Sequence, residues 1–305
     1  MAVTLTQLRA FLAVVRTGSV RAAAEELVVT QPSVSAAIAA LSRELGAELT
    51  ERSGRSVRPS AAGAAFAPYA AHVVGLLAQG EQAVREVRDG EARELRIAAV
   101  TTAAEHLLPA LLGGFTRKHP GARLAIDVGN RERVFRRLAT HEADVAIAGR
   151  APPSAALVSA PFRKNAMVVI APPGDPLSAA ASVDLAQLAD RTWLLREEGS
   201  GTRAYNEALL ARLDVRPRTL TVGSNGAIKA AVRAGLGVSA LSREAVALEL
   251  DAQLLVTVAV AGLPQREWFA HRSSVGPVRP AVVAFLAFLG GCGDDSAGAD
   301  PRRAD

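Results

Sequence analysis

The chain has 305 residues and a single cysteine, Cys292. One thiol can build neither a disulfide framework nor a cysteine metal site. The five histidines lack neighbours at metal-ligand spacing, and the residues around Ser200 lack the spacing of a nucleophile elbow. A Gly-x-Gly-x-x-Ala run at residues 235–240 follows a predicted helix and precedes a strand, the reverse of the order in dinucleotide-binding folds. We therefore expect neither catalysis nor a cofactor.

The sequence also lacks export and membrane signals. Its amino terminus has no basic region followed by an apolar core and a cleavage site, and no window reaches the roughly 18 uninterrupted apolar residues that span a bilayer. We expect a cytoplasmic protein without a membrane partner. The formal net charge of +5 favours an anionic partner.

Residues 20–58 are the most informative part of the chain. A short helix capped by Ser19 and rich in alanine leads to a turn, for which the β-branched Val28 and Val29 are suited. Thr30 then caps a second helix, whose apolar positions recur every three or four residues: Val34, Ile38, Leu41 and Leu45. This order predicts a helix-turn-helix whose second helix presents its amino-terminal end to the major groove of DNA.

An arginine-rich hairpin at residues 49–59 follows that helix. It predicts a two-stranded wing whose arginines meet the DNA backbone or a minor groove. The candidate DNA-binding residues are the polar side chains at the helix start and the wing arginines: Thr30, Gln31, Ser33, Ser35, Arg52, Arg55 and Arg58. The alternative is an ordinary helical hairpin followed by a solvated basic loop.

A long helix is predicted from Ser60 to Asp89. Its apolar side chains form a stripe: Phe66, Tyr69, Val73, Leu76, Leu77, Val84 and Val87. Such a stripe suits pairing with the same helix of a second subunit, and the alternative is packing on the chain's own domain. Pro68 predicts a kink or a late helix start.

Beyond Gly90, strand-like and helical segments alternate in two series, which predicts two α/β lobes with mainly parallel sheets. The chain is expected to cross between the lobes at residues 160–164 and to return at 262–266. A double crossing makes a hinge, and hinged lobes bind ligands in the cleft at the strand ends. The segment 290–305, rich in Gly, Asp and Ala, is predicted to be disordered.

Polar residues follow several of these predicted strands. Hydroxyls, backbone amides and guanidinium groups at such positions can hold an anion, and the candidates are Thr101, Thr102, Arg150, Ser200, Gly201, Thr202, Arg203 and Asn225. The alternative is structural, because Ser, Thr and Asn cap helices routinely.

Three runs near the amino terminus carry a resemblance: Leu5-Thr6-Gln7-Leu8-Arg9-Ala10-Phe11, Thr30-Gln31-Pro32-Ser33-Val34-Ser35 and Glu44-Leu45-Gly46. In them the chain resembles the LysR-type family of bacterial transcriptional regulators. The resemblance implies a winged helix-turn-helix at 1–60, a linker and dimerisation helix at 61–90, and a two-lobed effector domain at 91–289, similar to periplasmic binding proteins. In that domain we expect lobe one at 91–161 and 266–289, and lobe two at 162–265.

The same resemblance implies partners. They are promoter DNA, a small-molecule effector, and a second subunit in dimers that assemble to tetramers, with RNA polymerase as a candidate. The runs Gly129-Asn130-Arg131-Glu132, Gly199-Ser200-Gly201-Thr202-Arg203 and Gly223-Ser224-Asn225 look most like regulators of Calvin-cycle carbon-fixation operons. Those respond to phosphorylated metabolites or reduced nicotinamide nucleotides, which implies an anionic effector. Two alternatives stay open: a solute-binding protein with a fused helical segment, and a nucleoid-type DNA protein without ligand sensing.

Overall fold

The computed structural model of the chain describes residues 3–54, 56–88, 94–153, 156–213 and 216–292. The chain divides into two compact units, Met1–Ala92 with Arg137–Ala143, and Arg93–Arg136 with Asp144–Asp305. Arg55 and the predicted disordered segment from residue 293 onward lie outside the described residues.

The first unit contains the helix-turn-helix, the wing and the linker helix. Its elements are α1 (Leu5–Thr17), α2 (Val20–Leu27), α3 (Gln31–Leu45), β1 (Thr50–Ser53), β2 (Ser56–Pro59) and α4 (Ala61–Arg88). The predicted caps are present, since the side chain of Ser19 accepts a hydrogen bond from the Ala22 amide and that of Thr30 from the Ser33 amide. The core forms where the apolar faces of α1, α2 and α3 meet.

The turn between α2 and α3 differs from the expectation. Val28 ends α2 in the left-handed region, with φ 56° and ψ 47°. A β-branched side chain is disfavoured there, so Val28 does not suit this turn as predicted. Its amide still hydrogen-bonds to carbonyls of the last turn of α2, which fixes this conformation.

The linker helix α4 begins at Ala61, so the expected late start at Pro68 is wrong. The side chain of Ser60 accepts a hydrogen bond from the Gly63 amide at 3.0 Å and so starts the helix upstream of the proline. A Cβ at Gly63 would lie 1.9 Å from the carbonyl oxygen of Leu49, so only glycine fits this crossing. A kink at Pro68 stays a prediction.

The two faces of α4 have different surroundings. Phe66 packs against Phe11 in the helix-turn-helix core, with ring centroids 5.9 Å apart. Five apolar side chains of the predicted stripe are exposed: Tyr69, Val73, Leu77, Val84 and Val87. By length and hydropathy alone α4 could cross a membrane, although core helices of soluble proteins meet the same criterion.

The second unit contains the remaining elements. In chain order they are β3 (Glu94–Val100), α5 (Thr101–His106), α6 (Leu108–Lys118), β4 (Arg123–Gly129), α7 (Arg131–Ala139), β5 (Val145–Ala148), β6 (Leu157–Asn165), β7 (Met167–Ala171), β8 (Trp193–Leu195), α8 (Gly201–Leu210), β9 (Thr219–Thr221), α9 (Asn225–Arg233), β10 (Ser239–Ser242), α10 (Arg243–Asp251), β11 (Val256–Val258), β12 (Arg266–Ser273) and α11 (Pro280–Cys292). Two short 3-10 helices, Pro176–Ala179 and Leu185–Leu188, lie between β7 and β8.

These elements form two lobes with separate sheets. Lobe one has a five-stranded sheet in the order β4-β3-β5-β12-β6. Lobe two has a three-stranded sheet in the order β10-β7-β11 and a two-stranded sheet of β8 and β9. Each lobe has its own buried core.

Two details of the prediction need correction. Only part of the sheet structure is parallel, because β12 runs antiparallel to β5 and β6, and β7 runs antiparallel to β10 and β11. The first crossing lies after Asn165 instead of at residues 160–164, because β6 pairs with β12 along its whole length. Residues 162–165 therefore belong to the sheet of lobe one.

The helix α11 also runs three residues beyond the predicted end of the effector domain at residue 289, to Cys292.

Candidate functional site

The amino-terminal end of α3 presents a polar surface. Thr30, Gln31, Ser33 and Ser35 are all exposed, while Val34 on the other side of the helix is buried. The hydroxyls of Thr30 and Ser33 lie 2.8 Å apart and hydrogen-bond to each other. Gln31 and Ser35 have no side-chain hydrogen bond among the described residues, so they are the groups most available to base edges.

The two described arginines of the wing differ in whether they pair with an acidic side chain. Glu51 lies opposite Arg58 in the register of β1 and β2, and its Oε1 is 2.7 Å from Arg58 Nε. Arg52 lies opposite Val57, is exposed, and forms no ion pair within the described part of the chain. The charge of Arg52 is therefore more available to a phosphate than that of Arg58.

A solvent-open cleft lies between the two lobes of the second unit. Five of the predicted effector residues line it: Thr101, Thr102, Ser200, Gly201 and Thr202. They lie where β3 leads into α5 and where α8 begins, because the carboxyl ends of these strands face the cleft. Ser200 also caps α8 by accepting a hydrogen bond from the Thr202 amide at 3.2 Å.

The structure places the other three predicted residues outside the cleft lining. The Arg150 guanidinium lies over the ring of Phe269, 6.0 Å from its centroid. Arg203 pairs with Glu207 one turn further along α8, with 2.7 Å between Nε and Oε1. Asn225 is buried behind the lining.

Asn225 nevertheless connects the two lobes. Its Nδ2 donates to Thr102 Oγ1 of lobe one at 2.9 Å, and its Oδ1 accepts from Arg196 Nη1 of lobe two at 2.7 Å. Thr102 and Arg196 both line the cleft. Asn225 therefore positions cleft residues from behind.

Sequence reasoning missed the three arginines that line the cleft, Arg131, Arg196 and Arg266. Arg196 directly follows β8, which is a signal that could have identified it. Its charge is balanced by a bidentate pair with Glu197, at 2.7 and 2.8 Å. Nothing in the local sequence distinguishes Arg266, because it enters the cleft only when β12 pairs with the end of β6.

Arg131 and Arg266 leave positive charge in the cleft. Neither forms an ion pair with a carboxylate among the described residues. Burial lowers the pKa of both guanidinium groups, and for Arg266 the Tyr205 hydroxyl raises the pKa while the charge of Arg131 lowers it further. Their nearest polar partners are backbone carbonyls, with Arg131 Nη2 2.9 Å from Arg150 O and Arg266 Nη1 3.4 Å from Gly201 O. Such a pair of desolvated cations favours an anion between them.

A buried histidine supports this side of the cleft. His271 Nε2 lies 3.0 Å from the carbonyl oxygen of Gly149, and Nδ1 lies 2.8 Å from Ser159 Oγ. Its ring packs edge-on against Phe135, over which the Arg131 guanidinium lies at 5.1 Å. The ring cluster thus fixes the loop at Gly149 and the position of Arg131.

Comparison with known proteins decides the family. Residues 88–291 match the family model for the LysR substrate binding domain, and residues 5–64 match that for the bacterial regulatory helix-turn-helix protein, lysR family. The chain belongs to the LysR family of transcriptional regulators. It is therefore a DNA-binding regulator of a family without enzymes, as predicted, and the alternative of a solute-binding protein is wrong.

The relatives of this LysR-type regulator include regulators of carbon fixation. It is 36% identical over 294 residues to the RuBisCO operon transcriptional regulator of Allochromatium vinosum, covering 95% of this chain and 96% of the relative. It is 37% identical over 290 residues to the HTH-type transcriptional regulator CfxR of Cupriavidus necator, covering 94% and 91%. The predicted likeness to the carbon-fixation subgroup is confirmed.

A solved structure is similar to the effector region of this LysR-type regulator. The regulatory domain of CcmR from Synechocystis, in complex with 2-PG, has a TM-score of 0.63 and 32% identity over 67% of this chain and 98% of that chain. In the part of our chain that is described, no group of three or more metal-ligating side chains is placed to hold a metal ion.

Proposed function

We propose that this LysR-type regulator senses a small anionic metabolite in the cleft between its lobes. The observation that carries the proposal is the pair Arg131 and Arg266, two desolvated cations in one cleft. The hydroxyls of Thr101, Thr102 and Thr202 line the same cleft and supply further donors. The similar domain of CcmR, whose structure contains 2-PG, supports the same assignment.

We infer that the effector acts on DNA binding through the angle between the lobes. Two crossings connect them, one after Asn165 and one before Arg266, so a ligand that contacts both lobes biases their relative orientation. In a regulator bound to two half-sites, such a change alters the DNA bend and hence transcription. The protein acts in the cytoplasm, where its promoter DNA and RNA polymerase are.

The effector proposal is tested by thermal unfolding with a panel of phosphorylated and carboxylated metabolites. An effector at about 100 times its Kd stabilises the folded protein by about 2.7 kcal/mol. Arg266→Gln should abolish the stabilisation, whereas Arg233→Gln, a change at an exposed arginine on α9, should leave it intact. No gain from any anion would favour the nucleoid-type alternative without ligand sensing.

We propose different roles for α3 and the wing in DNA binding. Gln31→Ala should weaken binding to the operator about 10-fold and binding to random DNA little, because a base contact discriminates by roughly 1–3 kcal/mol. Arg52→Ala should weaken both and reduce the salt dependence, by about one unit in the logarithmic slope. Arg58→Ala should do so less, because Arg58 is paired with Glu51.

The measurement is a titration of both duplexes at several salt concentrations. The operator is first located by footprinting the DNA upstream of the regulator's own gene. Equal losses on both duplexes for Gln31→Ala and Arg52→Ala would contradict the division of roles.

A further inference from the structure

Two buried polar atoms in the cleft lack hydrogen-bond partners. They are Asn165 Oδ1 and Ser242 Oγ, and neither has a partner within the described residues. Asn165 is 2% exposed, Ser242 is 5% exposed, and both residues line the cleft. Buried polar groups in folded proteins are almost always hydrogen-bonded, so two unpaired atoms in one cleft indicate a place for a ligand group.

One of these unpaired atoms, Ser242 Oγ, lies at the start of a helix. Ser242 is the residue immediately before α10, where serine ordinarily caps the helix, yet its side chain makes no capping hydrogen bond. A serine at this position ordinarily stabilises the helix by capping it. Here the hydroxyl makes no capping hydrogen bond, and Ser242 lines the cleft.

The positions of the two residues relate them to the proposed anion site. Asn165 ends β6 and lies directly opposite Arg266 in the antiparallel register with β12. Residues opposite each other share a face of the sheet, with Cβ atoms about 5 Å apart. Ser242 ends β10 and lies opposite Met167, another lining residue that follows Asn165 closely in the chain.

The chemistry of the unpaired atoms identifies the ligand group. An amide oxygen needs a donor, and a serine hydroxyl can donate or accept. A hydroxyl on the ligand satisfies both, because it donates one hydrogen bond and accepts others. In this orientation of the Asn165 amide, a second anionic group would be hydrogen-bonded by the Ser242 hydroxyl alone and would leave the amide oxygen unpaired.

We propose that Asn165 and Ser242 form a hydroxyl-recognition subsite next to the anion site. This inference rests on the proposed function, since the anion must first be held by Arg131 and Arg266. The ligand is then a hydroxylated small anion, with the hydroxyl a few carbon atoms from the phosphate or carboxylate. An anion of the same size without the hydroxyl leaves both atoms unpaired on binding.

The test uses matched ligand pairs on the full-length protein. Glycerol 3-phosphate and n-propyl phosphate have the same charge type and carbon chain and differ in two hydroxyls, and glycerate and propionate form the equivalent carboxylate pair. Calorimetric or thermal-shift titration should give a Kd about 10-fold lower for the hydroxylated member of the better-bound pair. Asn165→Ala and Ser242→Ala should each bring the ratio of the two Kd values closer to one. The Kd for the member without hydroxyls should stay within about twofold of its wild-type value. Ser274→Ala, an exposed control outside the cleft, should keep the full preference.

The outcomes separate the two proposals. Equal affinity for both members of the bound pair in the wild-type protein would overturn the hydroxyl subsite and leave the anion site standing. A preference that persists in both alanine variants would also overturn it. Failure of all four compounds to bind would overturn the proposed anion site and the subsite with it. If either alanine variant does not fold, Asn165→Asp and Ser242→Thr replace it; a carboxylate at 165 should lower the affinity for both members of the pair, and a threonine should retain the preference.

Discussion

At the scale of single residues, Val28 is the most unusual backbone position of the DNA-binding unit. It is 89% exposed and lies in the left-handed region, so its side chain gains little from packing to offset its conformation. For non-glycine residues that conformation costs roughly 1–2 kcal/mol. The conformation is fixed by the turn that positions α3, which the sequence could not show because Val28 and Val29 look alike in the chain.

Val28→Gly should raise the thermal stability of the protein. Glycine adopts the left-handed conformation without a Cβ clash, which stabilises the folded state. Its greater backbone entropy in the unfolded chain offsets part of this gain, and the net increase in the free energy of unfolding should be about 1 kcal/mol. The matched control is Val29→Gly, which has no such strain to relieve and should lower stability. The measurement is chemical unfolding followed by circular dichroism; a Val28→Gly protein no more stable than wild type would contradict this account.

His271 is a second residue with a calculable consequence. Burial lowers its pKa below the ordinary value of 6.5, the Gly149 hydrogen bond raises it, and the charge of Arg131 lowers it. Because the unfolded chain then binds a proton more readily than the folded one, the contribution of His271 to stability is fully present above pH 6.5 and is lost as the pH falls below it.

We therefore expect His271→Gln to reduce the loss of thermal stability between pH 7.5 and pH 5.5. Ser274→Ala, at an exposed residue without a titratable group, is the control and should follow the wild-type pH dependence. The measurement is the melting temperature at both pH values, and parallel curves for wild type and His271→Gln would count against a buried neutral imidazole.

At the scale of elements, one carboxylate connects three segments of lobe one. Asp144, just before β5, accepts hydrogen bonds from Arg96 of β3 at 2.8 Å and from Arg279, just before α11, at 2.8 Å. Arg279 also donates to the Glu94 carbonyl oxygen at 2.9 Å. The Asp144 side chain is only 1% exposed, so its charge is buried and is paired with two cations.

Asp144→Asn should destabilise lobe one by about 3 kcal/mol, because it removes a buried carboxylate that is paired with both Arg96 and Arg279. The exposed Asp251→Asn should change stability by less than about 0.5 kcal/mol. Unfolding is followed by tryptophan fluorescence, since both tryptophans, Trp193 and Trp268, are buried in this unit. A small effect of Asp144→Asn would show that the network adds little to stability.

The sequence predicted most elements but not β6. Alternating apolar segments beyond Gly90 and capped helices such as α3 have strong local signals, and both were predicted. In contrast, β6 contains Pro161 and the charged Arg163 and Lys164 and is largely exposed, as befits an edge strand, so its sequence looks like a connection. Its partner is more than a hundred residues away in the chain, and pairing at that distance has no local signal. Arg266 was missed for the same reason, because only the pairing of β12 with β6 places it in the cleft.

At the scale of the whole molecule, we propose that the protein is a dimer that pairs through the exposed face of α4 and can assemble further to a tetramer. Tyr69, Val73, Leu77, Val84 and Val87 recur at helical spacing and remain exposed, while Phe66, Ala67 and Ala70 near the start of the helix pack against the helix-turn-helix core. A helix in a second subunit would bury such a stripe.

Val84→Glu should convert the dimer to a monomer, because it places a charge in the centre of an apolar contact. Ala78→Glu adds the same charge at an exposed position of α4 outside the apolar stripe and should leave the oligomeric state unchanged. Sedimentation velocity at micromolar concentration distinguishes the two results. Identical sedimentation of wild type and both variants would argue against pairing through this face.

The Thr102–Asn225 hydrogen bond has a thermodynamic consequence for sensing. It joins the lobes behind the cleft by the protein's own atoms, at 2.9 Å. The lobes are in this respect preorganised, so part of the entropy that free lobes would lose on ligand capture has already been lost during folding. If the cleft holds the proposed effector, more of the contact energy then appears as affinity, and we expect the lobes to rotate only slightly on binding.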